Sequence, residues 1–241
     1  MISDGDRLPK SVTGIFVMAG ALYVRRFALY ITLAAVVLAV QYVVGVLLPH
    51  SDGLVAGLSI VVDAFFFAAV SIGVAFDLAE KEVDWSTILL AANERWGVVS
   101  IVCLAYWLVF VLLAPSVFDQ PDDVASGLLI LPIVVFWGAI QLGQVVASIE
   151  PVKTQLSLPF LAIGKGLAVS LRWINVGRLV LLSLIIVLPT VGIDLLATIL
   201  TEHHVHDAAF WGNVPLDALT VGPVAALSTV FYVDFLRRAR T

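Results

Sequence analysis

Charge is scarce in this chain, and cysteine is scarcer still. Of 241 residues only 13% are charged, 61% are hydrophobic, and the mean hydropathy is +1.07. A soluble globular domain carries about 45–50% apolar and about 25% charged residues. So little charge cannot solvate the surface of a soluble domain, and the composition predicts a polytopic membrane protein. The single cysteine, Cys103, lies in an apolar run, which excludes an intrachain disulfide and any CxxC metal or redox motif. The net charge of −5, with no basic stripe or aromatic-basic module, excludes a nucleic-acid partner. GxSxG, P-loop, GxGxxG and HExxH patterns are all absent, and no nucleophile–base pair is legible. A non-enzymatic role is therefore expected. The first ten residues hold no apolar run ending at a small-residue cleavage site, so no cleaved signal is expected.

What is present is a set of long apolar runs. A membrane span needs about 20 mostly apolar residues. Six segments qualify: Phe27–Leu48, Leu54–Phe76, Gly97–Pro115, Ala125–Ile149, Val176–Leu200 and Asn213–Leu236. Each is apolar on all sides, as a helix surrounded by lipid or by other helices should be.

The loops between them have opposite characters. All 13 Lys and Arg residues fall before span 1, between spans 2 and 3, around the link from span 4 to span 5, or at the C-terminal end. The other three loops, "PHSDG", "SVFDQPDD" and "TEHHVHDAAFWG", contain neither residue. The positive-inside bias then places both termini in the cytoplasm, the expected location being the bacterial inner membrane. Every histidine falls outside.

The basic connections carry a pattern. "TGIFVMAGALYVRRF", "DWSTILLAANERW" and "PFLAIGKGLAVSLRW" each precede a hairpin and each end in Arg and a large aromatic: Arg26–Phe27, Arg95–Trp96, Arg172–Trp173. In the second, Trp85, Ile88, Leu89, Ala92 and Trp96 share one helical face, with Asp84 or Ser86 as the cap. Such segments suit amphipathic helices lying on the membrane. The hairpins also end alike: "AVSIGVAFDL" aligns with "ALSTVFYVDF", Ser71 over Ser228 and Asp77 over Asp234, and "QVVASIE" offers Glu150 at the same place. The expected fold is all-α: six transmembrane helices as three repeated hairpins, each preceded by a cytoplasmic interfacial helix. It forms one integral membrane domain over 1–241, with repeats near 11–80, 84–150 and 157–238.

This layout resembles a group of bacterial six-span families, among them the membrane domain of glycerophosphoryl diester phosphodiesterases and the YciC-like proteins. The residues that carry the resemblance are "GLAVSLRWINVGRLVLLSLIIVLP" (Gly166–Pro189) and "VFYVDFLRRAR" (Val230–Arg240). The resemblance implies a membrane module. It does not imply phosphodiesterase chemistry, because the chain has no room for a separate catalytic barrel.

Three acids inside spans need a reason, since burying an ionisable group in hydrocarbon is costly. Asp217 follows Pro215, and the expectation is an ordinary helix start. Asp194 follows "LPTVG", where Pro189 and Gly192 kink the helix and free backbone groups for the carboxyl. Asp63, between "SIVV" and "AFFF", must face the bundle, with Gln41, Gln141, Gln144 or another outer-half carboxyl as its partner. Gly138 and Gly143 on span 4 are small-residue positions that let helices approach. In "TEHHVHD", His203 and His206 are one helical turn apart. His204, Asp207, Glu202 and His50 are further donors for a divalent metal. The alternatives there are a pH-sensitive cluster or a solvated loop, and the loop is preferred.

Two functions follow. In the first, the protein organises lipid or a protein partner at the cytoplasmic leaflet. There Arg25, Arg26, Arg95, Arg172, Arg178, Arg237 and Arg238 contact anionic head groups, and no cofactor is needed. In the second, a transporter or metal-handling protein uses an outward polar cleft, with Asp63, Asp194 and Asp217 as ligand or coupling candidates and His203, His204, His206 and Asp207 as metal ligands.

Overall fold

The computed structural model describes residues 11–48, 52–118, 124–150, 158–172, 175–185, 199 and 208–238. The elements are α1 (Val12–Arg25), α2 (Phe27–Leu47), α3 (Asp52–Leu78), α4 (Trp85–Phe118), α5 (Val124–Ile149), α6 (Leu158–Ser170), α7 (Asn175–Ile185) and α8 (Ala208–Arg238). Among the described residues there is no strand. Among the described residues three helical stretches are long and apolar enough to cross a membrane: Phe27–Leu47, Gly57–Leu78 and Trp85–Ala105. A fourth candidate is the bent pair Pro159–Ser170 and Asn175–Ile185, whose axes turn through 116°.

Burial sorts the helices into inner and outer. The ends of α3, α5 and α8 form the centre and touch one another. Phe66, Val70 and Val74 on α3, Leu142 and Val145 on α5, and Phe231 and Phe235 on α8 are all fully buried. Helices α2 and α4 lie outside and keep one apolar face uncovered. Val36, Val43 and Val46 on α2 and Ile101 and Leu108 on α4 are each more than half exposed. Apolar side chains tolerate that exposure in lipid, not in water.

The close approaches fall where side chains are smallest. A Cβ on Gly166 of α6 would sit 2.7 Å from the backbone nitrogen of Gly143 and 2.9 Å from the carbonyl of Ala139 on α5. One on Gly138 would meet the Ser183 hydroxyl on α7. The pairing of Gly138 and Gly143 with close packing therefore holds: α5 receives α7 at the first and α6 at the second. On the other flank Tyr23 and Tyr30 stack with ring centroids 5.1 Å apart, and Gly73 and Gly222 leave room for their hydroxyls.

Two sequence expectations are corrected. The segment Asp84–Trp96 does not form a separate helix ahead of span 3. No proline interrupts it, and α4 runs unbroken for 34 residues, roughly 50 Å at 1.5 Å per residue. Its buried stripe is Ile88, Ala92, Val99 and Val102, while Trp85 and Trp96 stay 48% and 38% exposed at the edge. Asp217 does not sit at a helix start, because α8 begins at Ala208 and already contains Pro215.

Candidate functional site

The arginine-bearing end of the bundle holds the most structured chemistry. Helix α1 starts with the Ser11 hydroxyl accepting from the Gly14 amide at 3.1 Å and ends at Arg25. Arg26 alone separates it from α2. That break aims the Arg26 side chain at the end of α3. Its Nε and Nη2 each donate to one oxygen of Asp77 at 2.8 Å, and Nη1 donates to the Val83 carbonyl at 3.1 Å. The Asp77 side chain is 1% exposed. Hydrogen bonding to Asp77 holds the Arg26 guanidinium above its ordinary pKa, against the opposing effect of burial.

The link from α3 to α4 is equally defined. Glu80 adopts a left-handed conformation (φ 53°). The amides of Glu80 and Lys81 bond back to the carbonyls of Asp77 and Phe76 at 3.0 Å, satisfying the helix end. Asp84 then caps α4, accepting from the Thr87 amide at 3.0 Å, from the Thr87 hydroxyl, and from the Ser86 hydroxyl at 2.7 Å. Those hydroxyl and amide donors pull its carboxyl down to about 2.

Two further acids sit at the ends of α5 and α8. Glu150 accepts from the Tyr232 hydroxyl at 2.8 Å, pairs with Lys165, and its carbonyl accepts from Arg95 at 2.7 Å. Asp234, with no side-chain exposure, is met by Arg178, by Arg237 at 2.7 Å and by Arg238 at 2.9 Å.

Beside Arg26 lies an open cleft of about 320 Å³, lined by Arg25, Arg26, Ala28, Glu82, Val83 and Trp85. Arg25 is 57% exposed and lies 3.7 Å from Asp77. Glu82 and Trp85 are exposed as well.

The candidate residues divide accordingly. Among the head-group arginines, Arg26, Arg178, Arg237 and Arg238 bond to buried carboxylates and Arg95 to a carbonyl. Arg25 and Arg172 are exposed. Asp63 accepts from the Gln41 amide at 3.1 Å and is half-buried, so the first of its expected partners does meet it. Asp194, His50, Glu202, His203, His204, His206 and Asp207 lie outside the described residues. Among the described residues no group of three or more His, Cys, Asp or Glu side chains is placed to hold a metal ion. Sequence reasoning aligned Asp77, Glu150 and Asp234 but assigned them no role. It also matched Arg172 to Arg26 and Arg95, whereas the residue that reaches the acid of its own hairpin is Arg178. Glu82 carried no signal in the sequence.

Comparison with protein-family models, curated proteins and solved structures gave no match in any of the three.

Proposed function

We propose that the chain is a non-enzymatic bacterial inner-membrane protein of six spans, built from three repeats, with both termini in the cytoplasm. Its role is to organise phospholipid at the cytoplasmic leaflet. The repeat reading is supported by one recurring contact. In the first and third hairpins a guanidinium near the start reaches the carboxylate at the end, Arg26 to Asp77 and Arg178 to Asp234, at separations of 51 and 56 residues; in the second, Arg95 reaches the backbone carbonyl of Glu150, 55 residues on. With Arg237 and Arg238, which also bond to Asp234, these arginines hold this end of the bundle together.

The observation that carries the functional reading is what stays uncovered at that same end. Arg25 and Arg172 are exposed next to exposed apolar neighbours, Val24 at 66%, Phe27 at 49% and Leu171 at 53%. On α6, Phe160 is 80% exposed. Cations over apolar side chains match the boundary between head groups and acyl chains. The test is native mass spectrometry of protein released from nanodiscs of mixed phospholipids. Retained lipid that is lost in Arg25→Glu/Arg172→Glu supports the reading. Equal retention by that variant overturns it.

A second reading, transport or divalent-metal handling, is favoured by the Gln41–Asp63 pair between α2 and α3. It predicts about one metal per chain in protein purified by a non-metal tag, lost when His203, His204 and His206 become Ala. No metal in either protein removes the histidine loop from consideration.

A further inference from the structure

The cleft beside Arg26 carries both signs of charge and an aromatic face, which is more than anion binding requires. The Asp77 carboxylate sits behind it, matched by the two-pronged bond from Arg26. At the exposed wall are Arg25, Glu82 and the Trp85 indole, 48% exposed. An anionic head group with no cationic part would gain from Arg25 and be repelled by Glu82. A zwitterionic one satisfies both.

We infer that this cleft binds a phosphodiester bearing a primary amine, the head group of an ethanolamine phospholipid. The inference rests on the lipid reading above and names its ligand. Arg25 takes the phosphate, since a planar guanidinium can offer two parallel N–H donors to two phosphate oxygens. Glu82 accepts from the ammonium, which has three N–H donors, and the Trp85 face attracts the same cation. A quaternary ammonium has no N–H to give Glu82, and one indole is not the aromatic cage that would compensate for it. The acyl chains leave along Val24 and Phe27, whose side chains flank the two arginines and are exposed.

Arg26 acts through the loop. Its bond to the Val83 carbonyl fixes the segment between Glu82 and Trp85 against the start of α2. The left-handed Glu80 and the Asp84 cap fix the chain on either side of Glu82. The cleft is therefore formed before any ligand arrives, and little ordering opposes binding.

The experiment uses the full chain in nanodiscs that contain ethanolamine, choline and glycerol phospholipids with identical acyl chains. Lipids retained on the released protein are counted by native mass spectrometry. The ethanolamine lipid should be retained about tenfold over the choline lipid, because only its ammonium has N–H donors to give the charged Glu82 carboxylate. Glu82→Gln should bring the two toward parity, and Trp85→Ala should lower the retention of both. Glu82→Lys should turn the preference to the glycerol phospholipid, a gain that misfolding cannot produce. Soluble glycerophosphoethanolamine separates two sources of the same chemistry. Displacement of the lipid by it supports a free phosphodiester ligand, and no displacement supports the bilayer. Equal retention of ethanolamine and choline lipids overturns the inference. If glycerol phospholipid alone is retained through Arg25, the inference falls and the broader lipid reading stands. If no lipid is retained, both fall.

Discussion

Arg26 and Asp77 are joined by two hydrogen bonds of 2.8 Å each, across 51 residues of sequence, with the carboxylate 1% exposed. A pair this buried offers little stability over a well-packed apolar pair, but losing one partner strands the other charge. Asp77→Ala and Arg26→Ala should each cost about 3–5 kcal/mol. The double variant Arg26→Met/Asp77→Leu should recover much of the loss. Arg26→Lys should fall between, because an ammonium keeps the charge and loses the fork. Unfolding midpoints in detergent micelles measure all four. Single losses that simply add in the double variant would show that the two side chains act independently.

Gly166 and Gly164 lie two residues apart on one helix and should respond in opposite directions. A methyl group on Gly166 meets backbone atoms of Gly143 and Ala139, and backbone cannot step aside as a side-chain tip can. Gly166→Ala should therefore destabilise, by about 1–3 kcal/mol. Nothing lies within 4 Å of the corresponding position on Gly164. There alanine gains helix propensity, about 1 kcal/mol in a soluble helix. Thermal unfolding of the two variants in one detergent decides the matter. Destabilisation of equal size in both would remove the close crossing of α5 and α6 as its cause.

Some of this was legible in the sequence, and the reason differs from residue to residue. The long apolar runs placed α2, α3 and α5 within a few residues, because nothing but a helix can satisfy the backbone of such a segment in lipid. The crossing at Gly143 was legible because small residues on a span have few other uses. The continuity of α4 was not. Arg95–Trp96 marks an interfacial depth equally well when a helix passes through that depth as when one ends there. The ion pairs were half legible. Aligned hairpin ends pointed to Asp77, Glu150 and Asp234, but an arginine's partner depends on where its helix turns. The 116° bend between α6 and α7 leaves Arg178 facing Asp234, six positions beyond Arg172, the arginine that matches Arg26 and Arg95 in the sequence pattern. Glu82 lies in a loop with no periodicity at all, and only the fold brings it to the wall of the cleft beside Arg25.

Asp84 gives the start of α4 a defined dependence on pH. Its carboxyl is held at about 2 in the folded chain by the Thr87 and Ser86 hydroxyls and the Thr87 amide, against about 3.9 for an unperturbed aspartate. A depressed folded value means the contribution is complete above the unfolded value. It is lost as pH falls from about 4 through about 2. The Thr87 amide, the donor in the cap, should lose hydrogen-exchange protection across that window. Asp84→Asn retains a capping oxygen and removes the titration, so its protection should be flat over the same range. A wild-type profile as flat as that of the variant would mean that the ionised carboxylate contributes nothing to the cap.

Asp63 decides between the two functional readings. It accepts from Gln41, which is 4% exposed, on the facing helix α2. If the pair is a structural bond between helices, Asp63→Asn should keep it, since an amide oxygen accepts from Gln41 as a carboxylate does. Stability and lipid retention should then match the wild type. Asp63→Leu should cost about 1–3 kcal/mol by leaving the buried Gln41 amide without an acceptor. Gln41→Leu/Asp63→Leu should recover most of it, since removing both partners leaves no stranded donor. A coupling role makes the opposite demand: the asparagine variant would fold as well as the wild type and lose function, because only the carboxyl can carry a proton or a cation. Uptake assays in proteoliposomes on this correctly folded variant therefore separate the readings. Uptake in the wild type that vanishes in Asp63→Asn would place transport ahead of lipid organisation. An identical flux trace for both proteins, with the stability cycle as expected, leaves Asp63 as one of the bonds that hold the first hairpin closed.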